Sequence, residues 1–184
     1  MKVAYIVFDG ITWLDLIGVY DAITRLKSGI FIPDLEWEFC AHSSPAKDVY
    51  GLEMVPTEVG RSLSDYDAVV VPGGHGTRKL MFDKGFLAWL NTASHAKYKI
   101  SICTGSLLLG AAGMLQSKKA TTNYLEYETL KPYCKEVVED RIVEDGDTIT
   151  AGAVSASIDL GLFLCEKWAG SKAREEVRIK MNVS

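Results

Sequence analysis

Apolar residues fall in two patterns along this chain, and the patterns alternate. The runs Lys2–Phe8 (KVAYIVF), Asp67–Val71 (DAVVV) and Lys99–Cys103 (KISIC) are unbroken and end at turn residues, as strands buried on both faces do. Leu35–His42 (LEWEFCAH) alternates with a period of two and predicts a further strand. Leu14, Ile17, Tyr20, Ile23 and Leu26 recur at close to helical spacing and predict a first helix over TWLDLIGVYDAITRL. More helices are predicted over DKGFLAWLNTASHA, TGSLLLGAAGML, YLEYETLKPY, SASIDLGLFLCEKWAG and the charged terminal SKAREEVRIKM. DRIVEDGDTITAG, with Asp145-Gly146-Asp147 at its centre, predicts a hairpin. KATT predicts a small strand, and KDVYGLEMVPTEV an irregular ribbon in which Pro56 argues against a central strand.

Strands alternating with helices predict an α/β protein with a parallel sheet covered by helices on both faces. No repeat, linker or low-complexity segment interrupts the pattern, so residues 1–184 are read as one domain. In such a sheet, ligands bind beyond the carboxyl ends of the strands. This directs attention to the ends after Phe8, Val71 and Cys103.

Composition narrows the function classes. Net charge is -4 with no block of Lys or Arg, so a nucleic-acid surface is not expected. No apolar stretch reaches membrane-spanning length, and Asp9 interrupts the N-terminal run too early for a signal peptide. Cys40, Cys103, Cys134 and Cys165 are far apart and form no CxxC pair, so no metal site is expected. Without a secretion signal they are expected as reduced thiols in a cytoplasmic protein.

Cys103 stands where a strand turns into a helix, followed by Thr104 and Gly105. A cysteine in that place is often core filler. A tight strand-to-helix turn also exposes a nucleophile, and the helix N-terminus is expected to favour the thiolate. The Thr104 amide is the natural donor to an oxyanion there. Gly73 and Gly74 in VPGGHG end another strand, where the Gly74 or His75 amide is expected to complete the oxyanion site. Asp15 lies between Leu14 and Leu16 near the start of the first helix, where burial would raise its pKa and suit it to proton transfer.

The motifs FDGITWLDLIG, VPGGHG, ICTGSLLLGAAGML, KKATT and AGAVSASIDLGLFL, in this order, resemble the DJ-1/PfpI superfamily. The resemblance implies a flavodoxin-like fold, similar to class I glutamine amidotransferase domains. Within it, Asp15 and Cys103-Thr104-Gly105 resemble the isocyanide (isonitrile) hydratase branch, whereas PfpI-type peptidases have Cys-His at the elbow. The resemblance implies hydration of an isocyanide to an N-formamide through a covalent thioimidate. Cys103 would be nucleophile, Asp15 proton donor and acceptor, and Thr104 a positioning group. Gly73, Gly74, His75 and Val154 would line the pocket. It implies no cofactor, a small-molecule substrate and a homodimer. Other activities remain open: a glyoxalase or deglycase, a thiol stress sensor, or a non-catalytic ligand-binding domain. Related regulators carry a DNA-binding domain after these motifs, for which a chain ending at Ser184 leaves no room. ATTNY stands where the hydratases and regulators usually read ATTHW, which places Asn123 in a histidine position.

Overall fold

The computed structural model describes residues 1–43 and 45–184. In chain order its elements are β1 (Lys2–Ile6), α1 (Trp13–Ser28), β2 (Glu36–Ala41), β3 (Ala46–Lys47), β4 (Glu53–Met54), β5 (Glu58–Val59), β6 (Ala68–Val71), α2 (Thr77–Leu80), α3 (Lys84–Leu90) and β7 (Tyr98–Ile102). They continue as α4 (Gly105–Ala111), β8 (Lys119–Ala120), α5 (Tyr127–Leu130), β9 (Glu136–Val137), β10 (Ile142–Asp145), β11 (Thr148–Ala151), α6 (Ala156–Ala169) and α7 (Ser171–Lys180). Seven strands form one sheet in the order β10-β11-β7-β6-β1-β2-β5. All are parallel except β10, which turns back on β11 at one edge.

The unbroken apolar runs are the central strands. Val3–Ile6 of β1, all of β6, and Ile100 and Ile102 of β7 have no exposed surface. One packed set of helices is α1, α6 and α7, and a second gathers α2, α3 and α5 around α4. Two such sets are what a sheet buried on both faces needs. Among the described residues, no helix is long and apolar enough to cross a membrane.

From β1 the chain moves to β2 on one side, then returns to place β6 on the other. The strand order therefore reverses between β1 and β6, and a crevice opens at their carboxyl ends. The loops leaving these strands meet in an isolated bridge between Ile11 and Gly74.

The tightest helix contact is between α1 and α6. A Cβ on Gly161 would lie 2.6 Å from the Ala22 Cβ, and one on Gly18 would lie 2.2 Å from Ser157 Oγ. The Ser157 hydroxyl fills the space that Gly18 leaves, but it is buried without a hydrogen-bond partner among the described residues. Leaving such a group unsatisfied costs about 1–3 kcal/mol. Ser157→Ala is therefore expected to raise stability by about 1 kcal/mol in urea denaturation; a loss would show that the hydroxyl is satisfied in solution.

The structure departs from the sequence pattern at five places. YLEYETLKPY is not one helix but a 3₁₀ turn (Tyr124–Glu126), the single turn α5, and a second 3₁₀ turn (Lys131–Tyr133). Its apolar residues make no continuous stripe: Tyr124 and Leu125 are exposed, and only Leu130 is buried. The helix after Cys103 ends at Ala111, before a turn through Gly113 at φ 82°. The third helix tightens to 3₁₀ geometry at Asn91–Ala93. The short strand β9 was not legible, and it pairs in parallel with β8. The ribbon after β2 resolves into a β3–β4 hairpin and β5, which adds to the sheet edge just after Pro56.

Candidate active site

The turn from β7 into α4 is tight enough to force Cys103 to φ 53°, a left-handed conformation that a non-glycine residue rarely adopts. Backbone contacts hold it there. The Cys103 N–H points at the Gly152 and Ala151 carbonyls, 2.8 and 3.0 Å away. Its carbonyl accepts from the hydroxyls of Thr122 (3.0 Å) and Ser106 (3.2 Å). Gly105 completes the corner, because a Cβ there would meet the Val71 carbonyl oxygen at 2.1 Å.

Asp15, in the first turn of α1, is fully buried. Its Oδ2 accepts from the Gly73 N–H at 3.0 Å, while Oδ1 has no partner among the described residues. Burial pushes its pKa up to about 7, against the Gly73 N–H and the Cys103 thiol, which favour the carboxylate. Gly73 makes this convergence possible: a Cβ there would lie 2.6 Å from Thr104 N and 2.9 Å from Asp15 Oδ2.

The Cys103 side chain is also nearly inaccessible. Burial first, and then the charge of Asp15, push its thiol up, while Asn123 and the Thr104 N–H and hydroxyl pull it back. The net direction is upward, opposite to the expectation from the helix N-terminus. A short helix end does not offset desolvation beside a carboxylate. Two anions are disfavoured at this spot, so the carboxyl gives up its proton near pH 7 while the thiol still holds its own.

The structure places the other predicted residues unevenly. Thr104 belongs to the site. Its Oγ1 accepts from the Gly74 N–H (3.1 Å) and lies 3.0 Å from Thr77 Oγ1, which ties the elbow to the glycine loop. The Gly74 amide, one of the two expected at the oxyanion site, is thereby occupied, and the Gly73 amide is held by Asp15. The Thr104 N–H remains as the donor beside sulfur. His75 is exposed and lines a cleft of about 370 Å³ with Trp13, Leu14, Tyr50 and Leu52, to which neither Asp15 nor Cys103 contributes. Val154 is half-buried in the turn after β11, the strand end that receives the Cys103 N–H.

Three groups of the site escaped the sequence reading or entered it only as oddities. Asn123 Nδ2 donates to Cys103 Sγ at 3.4 Å, so the residue in the histidine position gives the sulfur a neutral, permanent donor. Arg78 reaches Thr104 Oγ1 and the Gly74 carbonyl, and also pairs with Glu126. A charged residue on a one-turn helix gives no sequence signal of such contacts.

Residues 1–167 match the DJ-1/PfpI family. Isonitrile hydratase of Pseudomonas putida is 33% identical over 186 residues, covering 98% of this chain and 78% of that protein. A ThiJ/PfpI family protein from Pseudomonas syringae superposes with a TM-score of 0.90 at 29% identity, over 100% of this chain and 75% of that one. Drosophila melanogaster DJ-1beta superposes at 0.82 with 20% identity, over 100% and 98% of the two chains. With the parallel sheet, the strained cysteine elbow and the matching motif order in place, the chain belongs to the DJ-1/PfpI family.

Proposed function

We propose that this protein hydrates an isocyanide to an N-formamide, with Cys103 as nucleophile and Asp15 as proton carrier. The observation that carries the reading is the pairing of a buried carboxyl, titrating near pH 7, with the elbow thiol. The similarity to an isonitrile hydratase supports it. Of the three histidines in the chain, His75 lines another cleft, His42 packs against Phe86 and Trp89, and His95 is exposed in the turn before β7. Proton transfer at Cys103 therefore falls to Asp15.

In the first step the Asp15 carboxylate takes the thiol proton as sulfur bonds to the terminal carbon of R–NC. The resulting carboxylic acid returns that proton to the same carbon and leaves a thioimidate, R–N=CH–S–Cys103. Asp15, again a carboxylate, then takes a proton from water as the water oxygen adds to this carbon, and passes that proton to the nitrogen. As the tetrahedral adduct collapses, its hydroxyl proton passes by way of Asp15 to sulfur, the C–S bond breaks, and R–NH–CHO leaves with the thiol restored. The sum is R–NC plus water, and the chemistry needs no metal or organic cofactor. Covalent catalysis of this kind divides one difficult addition into two easier ones. The Thr104 N–H and the Asn123 amide stabilise negative charge on sulfur in both steps.

The test is product formation from p-nitrophenyl isocyanide, with methylglyoxal as the competing substrate. Wild type is expected to release the formamide and to leave methylglyoxal unchanged. Methylglyoxal turnover without formamide would move the function to the carbonyl-directed relatives.

The protein is further proposed to act as a homodimer in the cytoplasm. Leu14 and Ile17 on α1, with Val49, Tyr50 and Leu52 nearby in the chain's fold, expose apolar surface that a second copy would cover. Light scattering that finds only a 20.2 kDa species would contradict the dimer, and a purely membrane-bound or secreted fraction in cells would contradict the compartment.

A further inference from the structure

Arg78 is a cation that touches the elbow through Thr104, and the mechanism above gives it no part. With its side chain 45% exposed, it would ordinarily count as half of a weak surface ion pair. Its contacts run in two directions at once. Nη1 donates to the Gly74 carbonyl (3.0 Å) and reaches Thr104 Oγ1 (3.3 Å). Nη2 donates to Glu126 Oε1 at 2.6 Å. The guanidinium is a rigid planar fork, so fixing one side fixes the other.

Glu126 closes the 3₁₀ turn that begins after Asn123. Its N–H donates to the Asn123 carbonyl (2.8 Å), and the Leu125 N–H donates to Asn123 Oδ1 (3.0 Å). With Oδ1 accepting from Leu125, the amide's NH₂ is the end that faces Cys103 Sγ, 3.4 Å away. Apolar burial does not hold this turn, because Tyr124 and Leu125 are 65% and 73% exposed. Polar ties secure it at both ends: the Thr122 hydroxyl on the Cys103 carbonyl, and Glu126 on Arg78.

We propose that Arg78 is a positioning residue that, through Glu126, clamps the 123–126 turn to the Gly74 loop and so keeps the Asn123 amide on the Cys103 sulfur. The reaction it serves is the one proposed above, but the clamp is read out on the thiol itself. The burial of Glu126 favours its neutral form, yet Thr129 and Arg78 outweigh this and hold it below the usual range, as an intact ion pair requires. Without the clamp, the turn loses its outer tie and sulfur loses a donor that favours the thiolate.

The experiment measures the rate of Cys103 alkylation by iodoacetamide against pH, resolved by peptide mass spectrometry. Arg78→Met keeps the aliphatic stem and removes the fork. It is expected to slow alkylation at pH 7 by about tenfold, the worth of one charge-assisted hydrogen bond. Glu126→Ala leaves the Arg78 contacts to Gly74 and Thr104 in place and is expected to reproduce the loss. Asn123→Ala is expected to match both, and adding Arg78→Met to it should cost nothing more. Wild-type alkylation in Glu126→Ala, or additive losses in the double variant, would overturn the clamp. Alkylation involves no isocyanide, so failure of the hydratase reading leaves this test intact. Formamide production by wild type, conversely, stands whether or not the clamp does.

Discussion

Cys103→Ser is expected to abolish formamide production, by roughly 10⁴-fold or more, while the protein stays folded. The loss follows from proton affinity. A carboxyl that titrates near 7 can take a proton from a thiol as sulfur attacks, but a serine hydroxyl holds its proton far more tightly. The fold should survive because the elbow is held through the N–H and carbonyl of Cys103, which the substitution leaves unchanged. The N–H contacts to Ala151 and Gly152 remain, as do the carbonyl bonds from Ser106 and Thr122. Serine is close in size to cysteine and meets the same left-handed strain at φ 53°. A variant that melts with wild type and makes no formamide is the expected result. Turnover near the wild-type rate would remove Cys103 from every enzymatic reading.

Asp15→Asn is expected to move activity and stability in opposite directions. Activity should fall by about 10²–10⁴-fold, the usual worth of a general acid–base group. Stability should rise at alkaline pH. A free aspartate titrates near 3.9, and Asp15 in the folded protein near 7. Between these values the folded state holds a proton that the unfolded state has released, so stability falls as pH rises through this window. Above pH 7 the penalty is complete, and three pKa units set its upper bound at about 4 kcal/mol. Asparagine carries no charge to desolvate and still offers an oxygen to the Gly73 N–H. The melting temperatures of the two proteins should therefore coincide near pH 4 and diverge by pH 8, with the variant higher. A variant less stable than wild type at pH 8 would show that the carboxylate is stabilised by the site rather than strained in it.

Much of the site was readable because it depends on short-range rules. Apolar runs buried on both faces marked β1, β6 and β7. A cysteine between a strand and a helix, followed by Gly105, marked the elbow, and an acid between two leucines marked burial at Asp15. What was not readable depends on partners distant in sequence. Asn123 meets Cys103 across twenty positions, and Arg78 meets Glu126 across forty-eight. The Gly74 amide is offered by the sequence as an oxyanion donor because nothing local shows that Thr104 occupies it. The direction of the Cys103 shift was misjudged for a related reason: the helix end is visible in sequence, whereas desolvation and the Asp15 charge appear only once the chain is folded. The broken helix at 124–133 reflects burial of Leu130 alone, too little apolar surface to organise a longer one.

The claim at the centre of this account is that Asp15 and Cys103 act as one proton-sharing pair. The alkylation rate of Cys103 against pH, in wild type and in Asp15→Asn, tests it most directly, with half-buried Cys134 as internal control. Wild type should show a rise centred near pH 7, where Asp15 becomes able to take the thiol proton, and Cys103 should react faster than Cys134 above it. In Asp15→Asn the rise near pH 7 should vanish, leaving only the thiol's own ionisation at higher pH, no longer opposed by the carboxylate charge. A Cys103 profile unchanged by the substitution, or a Cys103 no more reactive than Cys134, would contradict the pair.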